Sequence, residues 1–179
     1  GSSSVSLSLA AAVSVATNTI DNVVQAHVLD STLDAGGALG ITATSDKSIE
    51  ALGLAAAVAV TAGSGNFTFS GAFGAAIATN TIGGKVEALI ADADAAETVP
   101  QFVNAGGPIT LLADNDSMID ATLATLAVSV SAGSGTVNLS LSGAVSVTTN
   151  TITSATLAGI DNSDVDTGGA VSIQANAGS

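Results

Sequence analysis

The sequence predicts an all-β fold, a parallel β-solenoid (β-helix) built from about 2.6 repeats of 62–70 residues. Two observations carry this. The stretch VSLSLAAAVSVATNTI (Val5–Ile20) returns as FTFSGAFGAAIATNTI (Phe67–Ile82) and again as VNLSLSGAVSVTTNTI (Val137–Ile152). Self-similarity at a period of tens of residues is the mark of stacked units that bury a face only against their neighbours. Within each copy the residues also alternate. Val5, Leu7, Leu9, Val13 and Val15 fall on one side, and Ser6, Ser8, Ala10, Ala12 and Ser14 on the other, which is the period of a pleated strand. The expectation is that the large Val/Leu face is buried as a continuous column, leaving the small Ser/Ala/Gly face flat and free for lateral packing.

The chain is read as a single array over residues 1–179, with repeats at 5–66, 67–136 and 137–179. Its anchors are Asn18, Asn80 and Asn150, 62 and 70 residues apart. The glycine pairs Gly36-Gly37, Gly106-Gly107 and Gly168-Gly169 follow their anchors by 18, 26 and 18 residues. One eight-residue insertion in the second repeat accounts for both differences. It is placed at Ala95–Phe102, as a loop, because Pro100 would break a central strand.

Each repeat holds four strand-like stretches, in the first repeat Val5–Ile20, Val23–Thr32, Ala38–Ser45 and Ile49–Thr61. Asp34-Ala35-Gly36-Gly37 and its equivalents supply turn residues that tolerate positive φ. Asp46-Lys47-Ser48 and Asp116-Ser117-Met118 are expected to turn the chain before the fourth stretch, and Gly63-Ser64-Gly65 and Gly133-Ser134-Gly135 to close the repeats. The third repeat stops before its fourth stretch, as a segment of a longer array would, or a subunit completed by a neighbour. In register, Leu39, Ile109 and Val171 form one inner ladder, Ile41, Leu111 and Ile173 the next, and Asn18, Asn80 and Asn150 an amide ladder at a corner. The pattern leaves open whether a repeat makes one wide coil or two coils of about half its length, with stacked residues one or two strand spacings of ~4.8 Å apart.

Composition narrows the function. Fifteen acidic residues face two lysines, Lys47 and Lys85, with no arginine, for a formal net charge of −13. No cationic footprint exists for nucleic acid, and an anionic membrane surface would repel the chain. With no Cys there is no disulfide framework or thiolate metal site. The most apolar run, Ala51–Ala62, is too short for a membrane-spanning helix. Without Trp or Tyr the aromatic girdles of a membrane barrel are also missing, so no transmembrane segment is expected.

The block STLDAGGALGITATS (Ser31–Ser45), with its returns FVNAGGPITLLADN and DVDTGGAVSIQANA, resembles the repeats of giant bacterial surface proteins. These are the filamentous-haemagglutinin-like and leukotoxin-like filamentous adhesins. With the Asn-Thr-Ile anchor and the Val/Ala-rich strand before it, the resemblance extends over nearly the whole chain. It implies a parallel β-helix shaft, export to the cell surface, and a role in adhesion, biofilm or fibre formation. The partners so implied are copies of the chain or adjoining repeats of a longer one, joined end to end. No receptor is readable from the residues.

Candidate chemistry is sparse. The lone histidine, His27, aligns with Leu89 and Gly159, so it reads as structural. The carboxylate pairs Asp92/Asp94 and Asp114/Asp116 have no arginine or Trp/Tyr platform beside them, and no catalysis is expected. Calcium is the ligand the acidic runs would take: Asp114, Asp116 and Asp120 in one, Asp161, Asp164 and Asp166 in the other, each offering hard oxygen donors. Neither run carries the central Gly and terminal Glu of an EF-hand, so solvated turn carboxylates are the favoured reading, with calcium the alternative, and no metal or cofactor is expected. The Thr-x-Thr pairs beginning at Thr17, Thr79 and Thr149 suggest, as a third reading, a stacked threonine array of the kind that binds ice. The reading carried forward is a structural β-solenoid segment of an extracellular adhesin or self-assembling fibre.

Overall fold

The structure is a computed structural model that describes residues 4–94 and 101–178. It is an all-β solenoid of parallel sheets. The first repeat contributes β1 (Val5–Leu29), β2 (Leu33–Ala35) and β3 (Leu39–Gly63). The second contributes β4 (Phe67–Ala91), β5 (Val103–Ala105) and β6 (Ile109–Gly133). The third contributes β7 (Val137–Ile152), β8 (Ala155–Asp161), β9 (Val165–Thr167) and β10 (Val171–Gly178). One sheet has the order β1-β4-β7 with β8 also on β4, a second β10-β6-β3, and a short third β2-β5-β9.

Each repeat makes one coil. Val171 pairs directly with Ile109, Lys85 with Ala155, and Leu33 with Val103. The four expected stretches therefore fuse into two strands of 25 residues, β1 and β3, with the three-residue β2 between them. Asp46-Lys47-Ser48 and Asp116-Ser117-Met118, expected as turns, lie inside β3 and β6. The strand stays extended there because Lys47, which points inward, finds acceptors. Its Nζ donates to the Gly83 carbonyl at 3.0 Å and to Ser154 Oγ at 3.1 Å. Of the eight-residue insertion, Ala95–Pro100 lie outside the described residues.

The residues group into two compact units that cut across the repeats. Unit 1 comprises Gly1–Asn18, Glu50–Asn80 and Asp120–Asn150; unit 2 comprises Thr19–Ile49, Thr81–Ile119 and Thr151–Ser179. Unit 2 has an aliphatic core. Ile41, Val86, Ile90, Val103, Ile109 and Leu111 are buried together, with Val24, Val28, Leu33 and Leu39 packed against them. The inner ladders foreseen here are correct: Ile109 and Leu111 are fully covered, while their partners Val171 and Ile173 on edge strand β10 are half-exposed. The chain enters β2 through Asp30, β5 follows Asp92, and β9 follows Asn162, at φ of 46°, 56° and 40°. Asp and Asn tolerate this left-handed region better than other side chains.

Unit 1 reverses the expected facing. The small face is inside: Thr68, Ser70, Ala72, Ala76, Ala78 and Asn80 on β4 are fully buried, and Ala51, Ala55, Ala57 and Ala59 on β3 nearly so. The large face is outside: Val5, Leu9 and Val13 on β1, and Leu52 and Leu54 on β3, are 65–78% exposed. The physical reason is close approach of the two sheets. They are joined by the tight turn between Gly63 and Phe67. A Cβ added at Gly74 of β4 would meet the Leu126 carbonyl oxygen at 3.1 Å and that of Ala55 at 3.7 Å. Backbone lies so near backbone that only Gly, Ala, Ser and Thr fit in most inner positions. Inner hydroxyls bridge the gap, Ser70 Oγ donating to the Ala59 carbonyl at 2.8 Å and Thr61 Oγ1 to that of Phe69 at 2.9 Å.

Candidate functional site

The residues with directional chemistry are ladders, formed because one coil per repeat stacks equivalent side chains at the strand spacing. In unit 1, Asn18 Nδ2 donates to Asn80 Oδ1 at 2.8 Å, and Asn80 Nδ2 donates to Asn150 Oδ1 at 2.9 Å. The ladder foreseen from the Asn-Thr-Ile anchors is there, but in mid-strand rather than at a corner, since β1 and β4 run straight through it. It is polar in direction. Its acceptor end is Asn18 Oδ1 on β1, and its donor end is Asn150 Nδ2 on β7. Both strands are edges of their sheet.

In unit 2 the ladders are carboxylate–amide. Asn104 Nδ2 donates to Asp34 Oδ1 at 3.0 Å, Asn162 Nδ2 to Asp92 Oδ1 at 3.0 Å, and Gln101 Nε2 to Asp30 Oδ1 at 2.8 Å. Stacking would bring Asp30 close to Asp92. An amide on each supplies the donors that two neighbouring carboxylates cannot give each other. The insertion thus delivers Gln101 to the acidic turn of the preceding coil.

The most covered carboxylate is Glu87, on the outer face of central strand β4. Gln25 Nε2 donates to its Oε2 at 2.6 Å, Lys85 Nζ pairs with its Oε1, and His27 Nε2 stands 3.5 Å away. The Lys85 hydrogen bond holds the carboxyl below its ordinary value. Burial opposes this and the Gln25 bond adds to it. His27 therefore packs beside a carboxylate, in the row of Leu89 and Gly159, which pair directly.

The calcium candidates are dispersed. Asp114 and Asp116 lie in β6 within unit 2, and Asp120 falls in unit 1. Asp161 ends β8, Asp164 precedes β9, and Asp166 lies in β9, one coil on from Asn104. Among the described residues no three His, Cys, Asp or Glu side chains gather as a metal site. A hollow of about 410 Å³ in unit 2 brings Asp46 and Asp116 near Lys47 and Ser117, with Met118 and Gly178 on its wall. Within it Ser117 Oγ is buried and unpartnered, as is the neighbouring Asn115 Oδ1. Of the threonine array, Thr17, Thr79 and Thr149 are exposed in unit 1, in strands whose outer face is mostly Val, Leu, Ile and Phe with Ala and Gly between them.

The feature that sequence reasoning missed is which face of unit 1 turns inward. A signal for it was present. In β1 the large residues occupy odd positions from Val5 to Val15 but even positions at Ile20, Val24 and Val28. In β3 they switch from odd (Leu39, Ile41, Ile49) to even (Leu52, Leu54, Val58, Val60). An unbroken strand keeps one parity inside, so one of the two sets must face out.

No family model, curated protein or solved structure matches this chain.

Proposed function

We propose that the chain is a structural segment of a stiff, acidic β-solenoid rod, a shaft piece of an extracellular bacterial adhesin or of a self-assembling surface fibre. The observation that carries the reading is the in-register coil with complementary ends. One coil per repeat leaves β1, β2 and β3 as edges on one side of their sheets and β7, β9 and β10 on the other. Unpaired edges are templates for further strand pairing. The amide ladder presents an acceptor at Asn18 on one edge and a donor at Asn150 on the other, so another coil adds head to tail without reversing the ladder. The adjoining partner is a copy of this chain or a further repeat of a longer one. The net charge of −13 keeps rods soluble and apart.

On this reading the work is mechanical and non-catalytic. The resemblance of the glycine-pair repeats to filamentous adhesins supports the placement at the cell surface. Electron microscopy of the purified chain at rising concentration tests it. Unbranched filaments whose lengthening stops when Lys or Pro is placed on an edge strand, as in Ser14→Pro, are the expected result. Discrete particles at every concentration, with no end-to-end contact, would overturn self-assembly and leave only the covalent-shaft version.

A further inference from the structure

Unit 1 is built inside out for a protein surrounded by water. Its interior is Ala, Gly, Ser, Thr and Asn apart from Leu123, which packs over Gly53, and its outer faces are mainly aliphatic, with Phe on the β1-β4-β7 side. On the β1-β4-β7 side stand Val13, Phe73 and Ile77, and on the β3-β6 side Leu54, Val58 and Val130, all exposed. Charge is confined to one margin of the same region. Of the 15 acidic residues only Glu50 and Asp120 belong to unit 1, each the first residue of its segment, and neither lysine nor the histidine does. The turns Gly63-Ser64-Gly65 and Gly133-Ser134-Gly135 are likewise uncharged.

We propose that unit 1 embeds in the acyl-chain region of a lipid layer, with both outer faces against hydrocarbon. Three features select lipid over a protein partner. A docking protein covers one patch ringed by polar residues, whereas here opposite sheets are apolar together, as an enclosing solvent requires. The alternation, apolar out and small or polar in, is the pattern of strands that face lipid, here without the aromatic girdles of a closed barrel. The apolar span also matches. Val5 to Val15 covers ten residue steps and Leu52 to Val60 eight, roughly 33 and 26 Å at ~3.3 Å per residue, against a hydrocarbon core of about 30 Å.

Lipid further demands that polar groups be satisfied internally. The hydroxyls of four inner residues are: Thr61 and Ser70 bond carbonyls of the facing sheet, and Thr68 Oγ1 shares a hydrogen bond with Ser131 Oγ at 2.8 Å. Only the sheet edges stay open, and these are covered by the next coil, so at this point the inference rests on the stacked rod proposed above. Among the described residues no helix is long and apolar enough to cross a membrane; the contact is made by strands alone.

The test uses the full chain and vesicles of neutral phosphatidylcholine, which remove charge attraction as a cause. The chain has no Cys, so Val58→Cys in unit 1 and Thr110→Cys in unit 2 each take one environment-sensitive fluorophore. The expected result is flotation of the chain with vesicles, independent of salt. The Val58 label shifts to the blue and is quenched by acyl-chain nitroxides, and the Thr110 label does neither. Val13→Asp and Val58→Asp, whose side chains point away from the interior, should lower the vesicle-bound fraction by roughly tenfold or more each. If either variant loses its β circular dichroism, the label pair decides alone.

No flotation at saturating lipid, or equal quenching of both labels, overturns the proposal. A blue shift at Val58 that grows with protein concentration in the absence of lipid also overturns it, and assigns the apolar faces to a second copy. Filaments seen without lipid, in a chain that never floats, would leave the rod standing and remove only the lipid contact.

Discussion

Replacing the middle rung of the amide ladder, Asn80→Ala, separates a cooperative ladder from three independent surface amides. Asn80 is fully buried, accepts from Asn18 at 2.8 Å and donates to Asn150 at 2.9 Å. Truncation removes both bonds at about 1 kcal/mol each. It also strands the Asn18 amide nitrogen, which is only half-exposed and incompletely rehydrated. The expected cost is about 2–3 kcal/mol, or roughly 5–10 °C in melting temperature for a chain of this size. Asn18→Ala on the edge strand removes one bond and leaves its partner Asn80 Oδ1 able to admit water from the open edge. It should cost about 1 kcal/mol. Denaturant titration followed by far-ultraviolet circular dichroism measures both, and the double variant should cost less than the sum, because one bond is counted in each single change. Equal losses for Asn80→Ala and Asn18→Ala would refute the reasoning: the central position would then contribute no more than an edge.

Three further outcomes follow from the same structure. Ile109→Asp buries a carboxylate in the unit 2 core, where Ile109 is fully covered, and should cost several kcal/mol and abolish the melting transition; Val171→Asp, half-exposed on the same rung, should leave a transition little changed. Glu87, whose carboxyl is held below the ordinary 4.5, adds stability that is fully present above that value and is lost as pH falls through its lowered folded value; Glu87→Gln should flatten the acid limb of melting temperature against pH. Chelator should leave the melting temperature unchanged, since the acidic side chains are dispersed or bonded to amides; a large drop would assign calcium a structural place.

The repeat, the parallel stacking, the amide ladder and the aliphatic inner ladders of unit 2 were legible in the sequence, because all depend on spacing alone, whereas the choice between one coil and two per repeat was left to the pairing of the strands. Equal intervals between Asn18, Asn80 and Asn150, once the insertion is removed, fix which residues stack. Turn position was less legible. Asp46-Lys47-Ser48 has turn composition, yet the carbonyl of Gly83 and the hydroxyl of Ser154 accept the Lys47 ammonium inside the fold and let the strand run on. Local propensity could not foresee acceptors that lie 36 and 107 residues away.

The sequence by itself determined that every long strand has a large and a small face, since period two is intrinsic to the pleat. It did not determine which face is inside. Tertiary structure decided that, and decided it oppositely in the two units. In unit 2 the third sheet, β2-β5-β9, adds a wall to the core, and Ile, Leu and Val fill it. In unit 1 two sheets meet across a tight turn, Gly74 leaves no room for a larger residue, and the large side chains are driven out. Hydrophobicity ranks residues for burial, but the distance between facing backbones sets the volume that can be buried, and here the volume prevailed.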